Sequence, residues 1–200
     1  GRQGEQSRAG GPQTGAVCAI MKTGNDNTQR QKQERQELVM EIERKWMVAG
    51  WPQGLDCTEE YRMDQGYFSV RPTVRIRREA LQGGDTRYVL CFKGAGTLAR
   101  EEIETDIAPD LFDRLKALLG KPLIAKVRRG YALPGGLTLE VNRVDAGTEH
   151  EFFYAEVEFS SEAQALAWKP GVLREYLDRE VTGEKGQSMA DYWAKTRGEG

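Results

Sequence analysis

The segment Met40–Trp46 constrains the fold most, because charged and apolar side chains alternate along it. In an extended strand, residues i, i+2 and i+4 share one face, so Glu41, Glu43 and Lys45 point to the same side. Carboxylates at positions i and i+2 stand about 6.6 Å apart at the backbone, close enough to converge on one hard divalent cation. Because a lysine shares their face, the segment offers a cation site and an ammonium together, and this combination suits a phosphate chain.

The same alternation recurs in several later segments of the chain. The charged positions that alternate with apolar ones there are Arg75, Arg77, Lys93, Glu102, Glu104, Lys126, Arg128, Glu140, Glu156 and Glu158. One charged strand face is typical of the solvated side of an antiparallel sheet. In this chain, however, each segment tends to carry charges of one sign, which favours two facing walls of opposite charge over an ordinary wet surface.

Turn signals and hydrophobic periodicity predict a mainly β (α+β) protein. The predicted strands begin at Met40 and continue at about 67–79, 86–94, 98–107, 122–130, 136–144 and 151–160, with a short strand at 179–182. The predicted helices cover 58–63, 109–119, 162–168, 171–178 and 187–197. About eight strands joined by short turns, with one charged and one apolar face, predict an eight-stranded antiparallel β-barrel with flanking helices and a charged interior.

Composition excludes several classes of function. A net charge of −2 provides no general field for nucleic acid, so no nucleic-acid partner is expected. No run of about 18 apolar residues exists, so we expect no membrane span. Cys18, Cys57 and Cys91 lack metal-ligand spacing and predict a reducing, cytoplasmic location. The single histidine, His150, argues against a histidine-based triad or zinc site.

Residues 1–39 are polar and rich in Gly, Gln and Arg, and they lack apolar periodicity until their last two positions. This composition predicts a disordered leader, or an extension foreign to the native protein. Met40, at the start of the first strand, is then a candidate for the native start. Residues 40–200 are expected to form one domain.

Eight motifs, in order along residues 40–195, resemble the signatures of the CYTH superfamily, the triphosphate tunnel metalloenzymes. The motifs are Glu41-x-Glu43-x-Lys45, residues 72–77 (Pro-Thr-Val-Arg-Ile-Arg), 91–94 (Cys-Phe-Lys-Gly), 101–104 (Glu-Glu-Ile-Glu), 126–128 (Lys-Val-Arg), 139–141 (Leu-Glu-Val), 155–158 (Ala-Glu-Val-Glu) and 179–185 (Arg-Glu-Val-Thr-Gly-Glu-Lys). The resemblance implies an eight-stranded antiparallel barrel whose tunnel binds triphosphates. Members of the family include inorganic, thiamine and RNA triphosphatases and class IV adenylate cyclases.

The resemblance also implies roles for individual residues. It implies substrate binding by Lys45, Arg75, Arg77, Lys93, Lys126 and Arg128, with Lys185 guarding the tunnel. It implies that one or two Mg²⁺ or Mn²⁺ ions bind to Glu41, Glu43, Glu102, Glu104, Glu140, Glu156 and Glu158. Glu41, Glu43, Lys45 and Lys93 are the residues expected to act in catalysis.

The chain departs from the family pattern at three places. Asn142 stands where relatives have an aspartate, which puts a second metal contact in doubt. Arg129 replaces a common tyrosine, and the segment after Lys185 lacks the Arg-Tyr pair of many triphosphatases. The substrate preference therefore does not follow from the resemblance.

The leading hypothesis is metal-dependent hydrolysis of a linear triphosphate: inorganic tripolyphosphate, with a nucleoside triphosphate as a second option. One alternative is a class IV adenylate cyclase that forms cyclic AMP from ATP. Another is a non-catalytic module that binds polyphosphate or a nucleotide. The expected partner is a small molecule with a triphosphate group, and a homodimer is left open.

Overall fold

A closed antiparallel barrel of eight strands forms the body of the protein in the computed structural model, which describes residues 39–198. The strands are β1 (Val39–Val48), β2 (Cys57–Val70), β3 (Thr73–Leu81), β4 (Thr86–Lys93), β5 (Ala99–Asp106), β6 (Ile124–Ala132), β7 (Thr138–Val144), β8 (Phe152–Glu158) and β9 (Arg179–Glu180). Around the barrel the order is β1-β5-β4-β3-β2-β6-β7-β8 and back to β1, and β9 adds to β1. The predicted eight-stranded barrel is confirmed.

Strand β1 closes the barrel because it pairs with two different strands. Its residues 39–42 pair with β5, and its residues 43–48 pair with β8. The segment that dominates the sequence pattern is therefore the seam of the barrel. The predictions for the leader concern residues 1–38 and lie outside the described part of the chain, apart from Val39, which belongs to β1. No described helix combines the length and the apolarity needed to cross a membrane.

Three helices pack on the barrel: α1 (Pro109–Leu119), α2 (Glu162–Ala167) and α3 (Met189–Arg197). Local sequence explains where they begin and end. Pro109 begins α1 and Gly120 ends it with φ 64°, a left-handed conformation that glycine adopts readily. Ser161 and Ser188 cap the N-termini of α2 and α3 by accepting hydrogen bonds from backbone N–H groups. The helices predicted at 109–119, 162–168 and 187–197 are confirmed.

Three local predictions are wrong. Residues 58–63 are not a helix but part of β2, where Arg62 pairs with Val127 on one side and Ala80 on the other. The predicted strand at 67–79 is two strands, β2 and β3, separated by a turn at residues 71–72. Only a 3₁₀ turn forms in the predicted helix 171–178, and Gly171 adopts φ 57°, which interrupts a right-handed helix.

One apolar core lies outside the barrel, beneath α2. Trp46 on β1 is 1% exposed and packs against Trp168, with ring centroids 5.7 Å apart. Arg44, also facing outward, donates hydrogen bonds to the carbonyls of Ala165 and Trp168, which satisfies acceptors at the end of α2. The face of β1 that carries Trp46 therefore lies against the helix, and the opposite face, with Glu41, Glu43 and Lys45, lies toward the interior of the barrel.

A second apolar cluster lies at the end of the bore where β2 and β7 finish and β6 and β8 begin. Tyr67, Ile124, Val144 and Tyr154 meet there, each almost fully buried. Trp193 of α3 packs on Tyr67 with ring centroids 5.8 Å apart. We call this group the apolar plug, because it occupies the interior at this end of the barrel.

Gly66 on β2 allows the helices to approach the barrel closely. A Cβ at this position would overlap Leu119 of α1, lie 2.6 Å from Leu123 and lie 3.4 Å from Trp193. We expect Gly66→Ala to lower the free energy of unfolding by about 1–3 kcal/mol, because the added methyl overpacks the contact. Urea unfolding measures the change. Gly50→Ala is the control, since nothing lies within 4 Å of its Cβ position; equal effects of both substitutions would contradict the close packing.

Candidate active site

Charged side chains at alternate strand positions face the interior of the barrel, and their signs divide it into two halves. We call β7, β8, β1 and β5 the acidic wall, and β4, β3, β2 and β6 the basic wall. The acidic wall carries Glu140, Glu156, Glu158, Glu41, Glu43, Glu102 and Glu104, and the basic wall carries Lys93, Arg75, Arg77, Lys126 and Arg128. Three inward residues depart from this division: Lys45 and Arg100 lie on strands of the acidic wall, and Glu79 lies on a strand of the basic wall. The strands of each wall are neighbours around the barrel. The predicted two-wall arrangement is therefore present.

The first cluster of the site surrounds Glu41 on β1. Lys93 Nζ lies 2.7 Å from both carboxylate oxygens of Glu41, although β5 separates their strands. Arg100 on β5 donates to Glu41 Oε2 at 2.8 Å and to Glu43 Oε1 at 2.7 Å. Burial by itself would raise the pKa of Glu41, but Lys93 and Arg100 outweigh it and lower that pKa to about 2. Glu41 is thus a fixed negative charge.

Glu43 behaves in the opposite way. Burial, together with the nearby carboxylates of Glu156 and Glu41, raises its pKa to about 8, although Lys93 and Arg100 oppose the shift. Three carboxylates crowded together repel one another, and a proton on Glu43 relieves that repulsion. A divalent cation bound to these carboxylates would also relieve it, because its positive charge offsets theirs.

Arginines of β3 reach across to the carboxylates of β5. Arg77 Nη2 lies 3.0 Å from Glu104 Oε1, and Arg75 Nη2 lies 3.5 Å from the same oxygen and 3.6 Å from Glu102 Oε1. The Cys91 thiol donates to Glu102 at 3.0 Å. Burial by itself would raise the pKa of Glu104, but Arg77 and Arg75 outweigh it and lower that pKa. The two walls therefore meet in ion pairs along the boundary between β4 and β5.

Two lysines meet Tyr154 on β8, next to the apolar plug. Lys45 Nζ lies 3.9 Å from the centre of the tyrosine ring and 3.6 Å from Glu156 Oε1. Lys126 Nζ donates to the Tyr154 hydroxyl at 3.0 Å. Burial lowers the pKa of Lys126 to about 7, so this ammonium is held in a poorly solvated place.

The other boundary of the walls, between β6 and β7, carries a further ion pair. Arg128 Nη1 lies 3.2 Å from Glu140 Oε2, and its guanidinium lies 4.8 Å from the centre of the Tyr61 ring. Burial by itself would lower the pKa of Arg128, but Glu140 outweighs it and raises that pKa. Arg128 is therefore a permanent cation at this edge.

The structure brings together most of the predicted site residues, and two lie apart. Glu158 is on the inward side of β8, but its side chain is exposed at the end of the strand. Lys185 is exposed in the loop between β9 and α3 and makes no hydrogen bond or ion pair within the described part of the chain. The functional roles assigned to all these residues remain predictions.

Sequence reasoning missed three residues that face the bore. Arg100 shares the face of Glu102 and Glu104 at two-residue spacing, so strand alternation could have identified it. Glu79 continues the inward series of β3 and lies 2.5 Å from Arg77 Nε. Tyr154 shares the inward face of β8 with Glu156. Because its ring is uncharged, the pattern of alternating charges did not identify it as a residue of the bore.

The donor atoms present fit a hard divalent cation. Glu41 and Glu43 share the inward face of β1, and Glu156 lies on the neighbouring strand β8. Ligand atoms of Cys91, Glu102 and Glu104 also lie within 4.8 Å of one another. Carboxylate oxygens are the donors that Mg²⁺, Ca²⁺ and Mn²⁺ prefer. Acidic residues here can therefore bind a metal ion.

The raised pKa of Glu43 predicts a dependence of stability on pH. An unfolded glutamate has the ordinary pKa of 4.5, whereas folded Glu43 has a pKa of about 8. Its protonation therefore stabilises the fold fully below pH 4.5, and this stabilisation is lost as pH rises through about 8. In metal-free buffer, we expect Glu43→Gln to become more stable relative to the wild-type protein between pH 5 and 9, measured by urea unfolding.

The exposed, outward-facing Glu101 provides the matched control for this experiment. Its substitution Glu101→Gln is expected to give a stability difference that does not change over the same pH range. A constant difference for Glu43→Gln as well would mean that Glu43 titrates normally.

Comparison with known proteins points to one family of structures. No family model matches the chain, and no curated protein matches it. NE1496, whose structure is described as that of an inorganic triphosphatase, is 26% identical and aligns over 77% of this chain and 94% of its own, with a TM-score of 0.51.

Two further solved structures share the fold. PH1819 from Pyrococcus horikoshii OT3 is 19% identical over 78% of this chain and 99% of its own, with a TM-score of 0.58. The candidate adenylyl cyclase HpAC1 from Hippeastrum, for which a dominant triphosphatase activity is described, is 16% identical over 78% of this chain and 96% of its own, with a TM-score of 0.52. The closed barrel with its two charged walls therefore makes this chain similar to these solved structures, one of which is described as an inorganic triphosphatase.

Proposed function

We propose that this protein hydrolyses a linear triphosphate inside the barrel with the help of a divalent metal ion. The observation that carries the proposal is the division of the bore into an acidic and a basic wall that face each other. A metal triphosphate presents the complementary pattern, because its cation and its anionic oxygens lie side by side. The 26% identity to an inorganic triphosphatase supports the same activity.

The basic wall is suited to hold the phosphate chain. Arg75 and Arg77 lie two residues apart on β3, and Lys126 and Arg128 have the same spacing on β6. Guanidinium groups bind phosphate oxygens through paired N–H donors, whereas an ammonium acts as a point charge. These four cations would neutralise the negative charge that develops on the transferred phosphoryl group, which is the main electrostatic requirement of such a reaction.

The acidic wall is suited to hold the metal ion, which we propose to be Mg²⁺ or Mn²⁺. Glu41, Glu43 and Glu156 would bind it, with Glu102 and Glu104 as donors on the next strand. A bound divalent ion polarises phosphate oxygens and lowers the pKa of water. The protein's own contribution is to hold these carboxylates on the neighbouring strands β5, β1 and β8.

Ion pairs within the bore involve the same groups that would bind the ligands. Lys93 lies against Glu41 and Glu102, and Arg75 and Arg77 lie against Glu104. A metal that binds the carboxylates releases these cations for phosphate, and phosphate that binds the cations releases the carboxylates for the metal. We therefore expect the metal and the triphosphate to strengthen each other's binding by the same factor.

A substrate panel tests the proposed activity. With Mg²⁺ or Mn²⁺, the protein is expected to release orthophosphate from tripolyphosphate, measured with malachite green. We expect Arg77→Ala to raise KM about tenfold or more, because a buried phosphate-binding guanidinium is lost. Arg78→Ala is the matched control, since Arg78 faces the outside of the same strand and pairs with Asp64. Absence of phosphate release from any triphosphate would refute the proposal.

ATP in the same panel separates the alternatives. Hydrolysis gives ADP and orthophosphate, whereas a cyclase gives cyclic AMP and pyrophosphate. Tight binding of tripolyphosphate without turnover under either metal would instead indicate a binding module.

Arg100 provides a test of the metal side that does not depend on turnover. It occupies oxygens of Glu41 and Glu43 that a metal would share, so Arg100→Gln removes a competing cation. We expect the variant to bind Mn²⁺ more tightly than the wild-type protein, by about threefold to tenfold, in titrations followed by electron paramagnetic resonance.

The outward-facing Arg78→Gln is the control for this titration, with an unchanged affinity expected. Equal or weaker Mn²⁺ binding by Arg100→Gln would show that the cation binds elsewhere.

A further inference from the structure

We propose that the side-chain amides of Asn142 and Gln65 form a neutral subsite that binds a tetrahedral oxyanion. This oxyanion is the terminal phosphoryl group of the substrate before hydrolysis and orthophosphate after it. The inference rests on the proposed function and adds a specific position within the bore. It is carried by two fully buried amide side chains, each with polar atoms that have no partner among the described residues.

Asn142 lies on the inward face of β7, two residues after Glu140. Its strand partners are Arg128 on β6 and Tyr154 on β8. The side chain is fully buried, and neither amide atom has a hydrogen-bond partner in the described part of the chain. A buried polar group without a partner costs about 1–3 kcal/mol, so two such atoms on one side chain indicate a ligand-binding position.

Gln65 on β2 is also fully buried. Its Nε2 donates to the Tyr67 hydroxyl at 2.8 Å, and its Oε1 lacks a partner within residues 39–198. A half-turn of the amide would let the tyrosine hydroxyl donate to Oε1 and would free the NH₂ group. Gln65 can therefore present two N–H donors to the bore without losing its bond to Tyr67.

The surrounding charges indicate that the ligand is an anion. Arg75 and Arg128 each have a buried Nε without a partner among the described residues, so further donors are available. Arg128, Arg77 and Arg75 all lie near enough to Lys126 to lower its pKa, in addition to the effect of burial. Several cations and unpartnered N–H donors in one region match the oxygens of a phosphoryl group.

The neutrality of the two amides matters for this role. Across the same pair of strands, Glu140 pairs with Arg128 at 3.2 Å. A carboxylate at position 142 would be a second anion beside that guanidinium and would offset part of its positive charge. An amide donates hydrogen bonds and leaves the positive charge of the basic wall available to the ligand.

The apolar plug defines which part of the substrate binds here. Tyr154 is both the strand partner of Asn142 and a member of the plug, and Tyr67 connects Gln65 to the same cluster. Apolar side chains thus fill the interior beyond the subsite. A phosphate chain would end at this point, so the group that binds is terminal and carries no organic substituent.

Binding of orthophosphate to metal-free protein tests the subsite. Isothermal titration calorimetry with EDTA present is expected to detect binding to the wild-type protein. We expect Asn142→Leu, which has a similar size but no amide, to weaken phosphate binding about tenfold, and Gln65→Met to weaken it about threefold or more. Glu101→Gln, exposed on the outer face of β5, is the control with unchanged affinity.

Circular dichroism establishes whether each variant is folded. If Asn142→Leu does not fold, Gln65→Met still tests the subsite. Unchanged phosphate affinity in the folded variants would overturn the subsite, because bulk positive charge would then explain binding. Hydrolysis of tripolyphosphate by the wild-type protein, measured separately, decides the proposed function. If the wild-type protein hydrolyses tripolyphosphate and the two variants bind orthophosphate as tightly as it does, the subsite is refuted and the proposed function stands.

Discussion

Pairing of opposite charges inside the barrel is the constraint on which the structure depends. A charged group loses several kcal/mol of solvation when it is buried, and a partner of opposite sign within about 4 Å is needed to offset that loss. The barrel meets this need where its two walls join. Lys93 lies against Glu41 and Glu102 at one boundary, and Arg128 lies against Glu140 at the other. The same groups that would bind ligands therefore pair with one another across the bore.

Strand β1 connects this charged interior to the rest of the fold. Its outward side chains, Trp46 among them, form the apolar core beneath α2, and its inward side chains reach Lys93 and Arg100. The strand also closes the barrel by pairing with both β5 and β8. A change that moved its register by one residue would place the carboxylates under the helix and Trp46 in the bore, so packing and site geometry fix each other.

Strand alternation predicted which charged residues face inward, because a period of two depends only on local backbone geometry. It failed where local preference conflicted with pairing. Residues 58–63 have a helix-like composition, yet β3 and β6 satisfy their backbone on both sides and make them a strand. Arg100 was overlooked because a cation beside Glu102 breaks the rule of one sign per strand, and only its contacts with Glu41 and Glu43 show its place in the site.

The sequence alone determined the class of fold, the charged interior and the chemistry of its two walls, since residue type and spacing specify which face a side chain occupies. Local signals also account for the helix ends at Gly120, Ser161 and Ser188 in the structure. Only the tertiary structure decided which charges meet. The contacts of Glu41 with Lys93 and Arg100, the lack of a hydrogen-bond partner for Asn142 among the described residues and the closure of one end by the apolar plug all arise between residues far apart in the chain, because they depend on how the barrel closes.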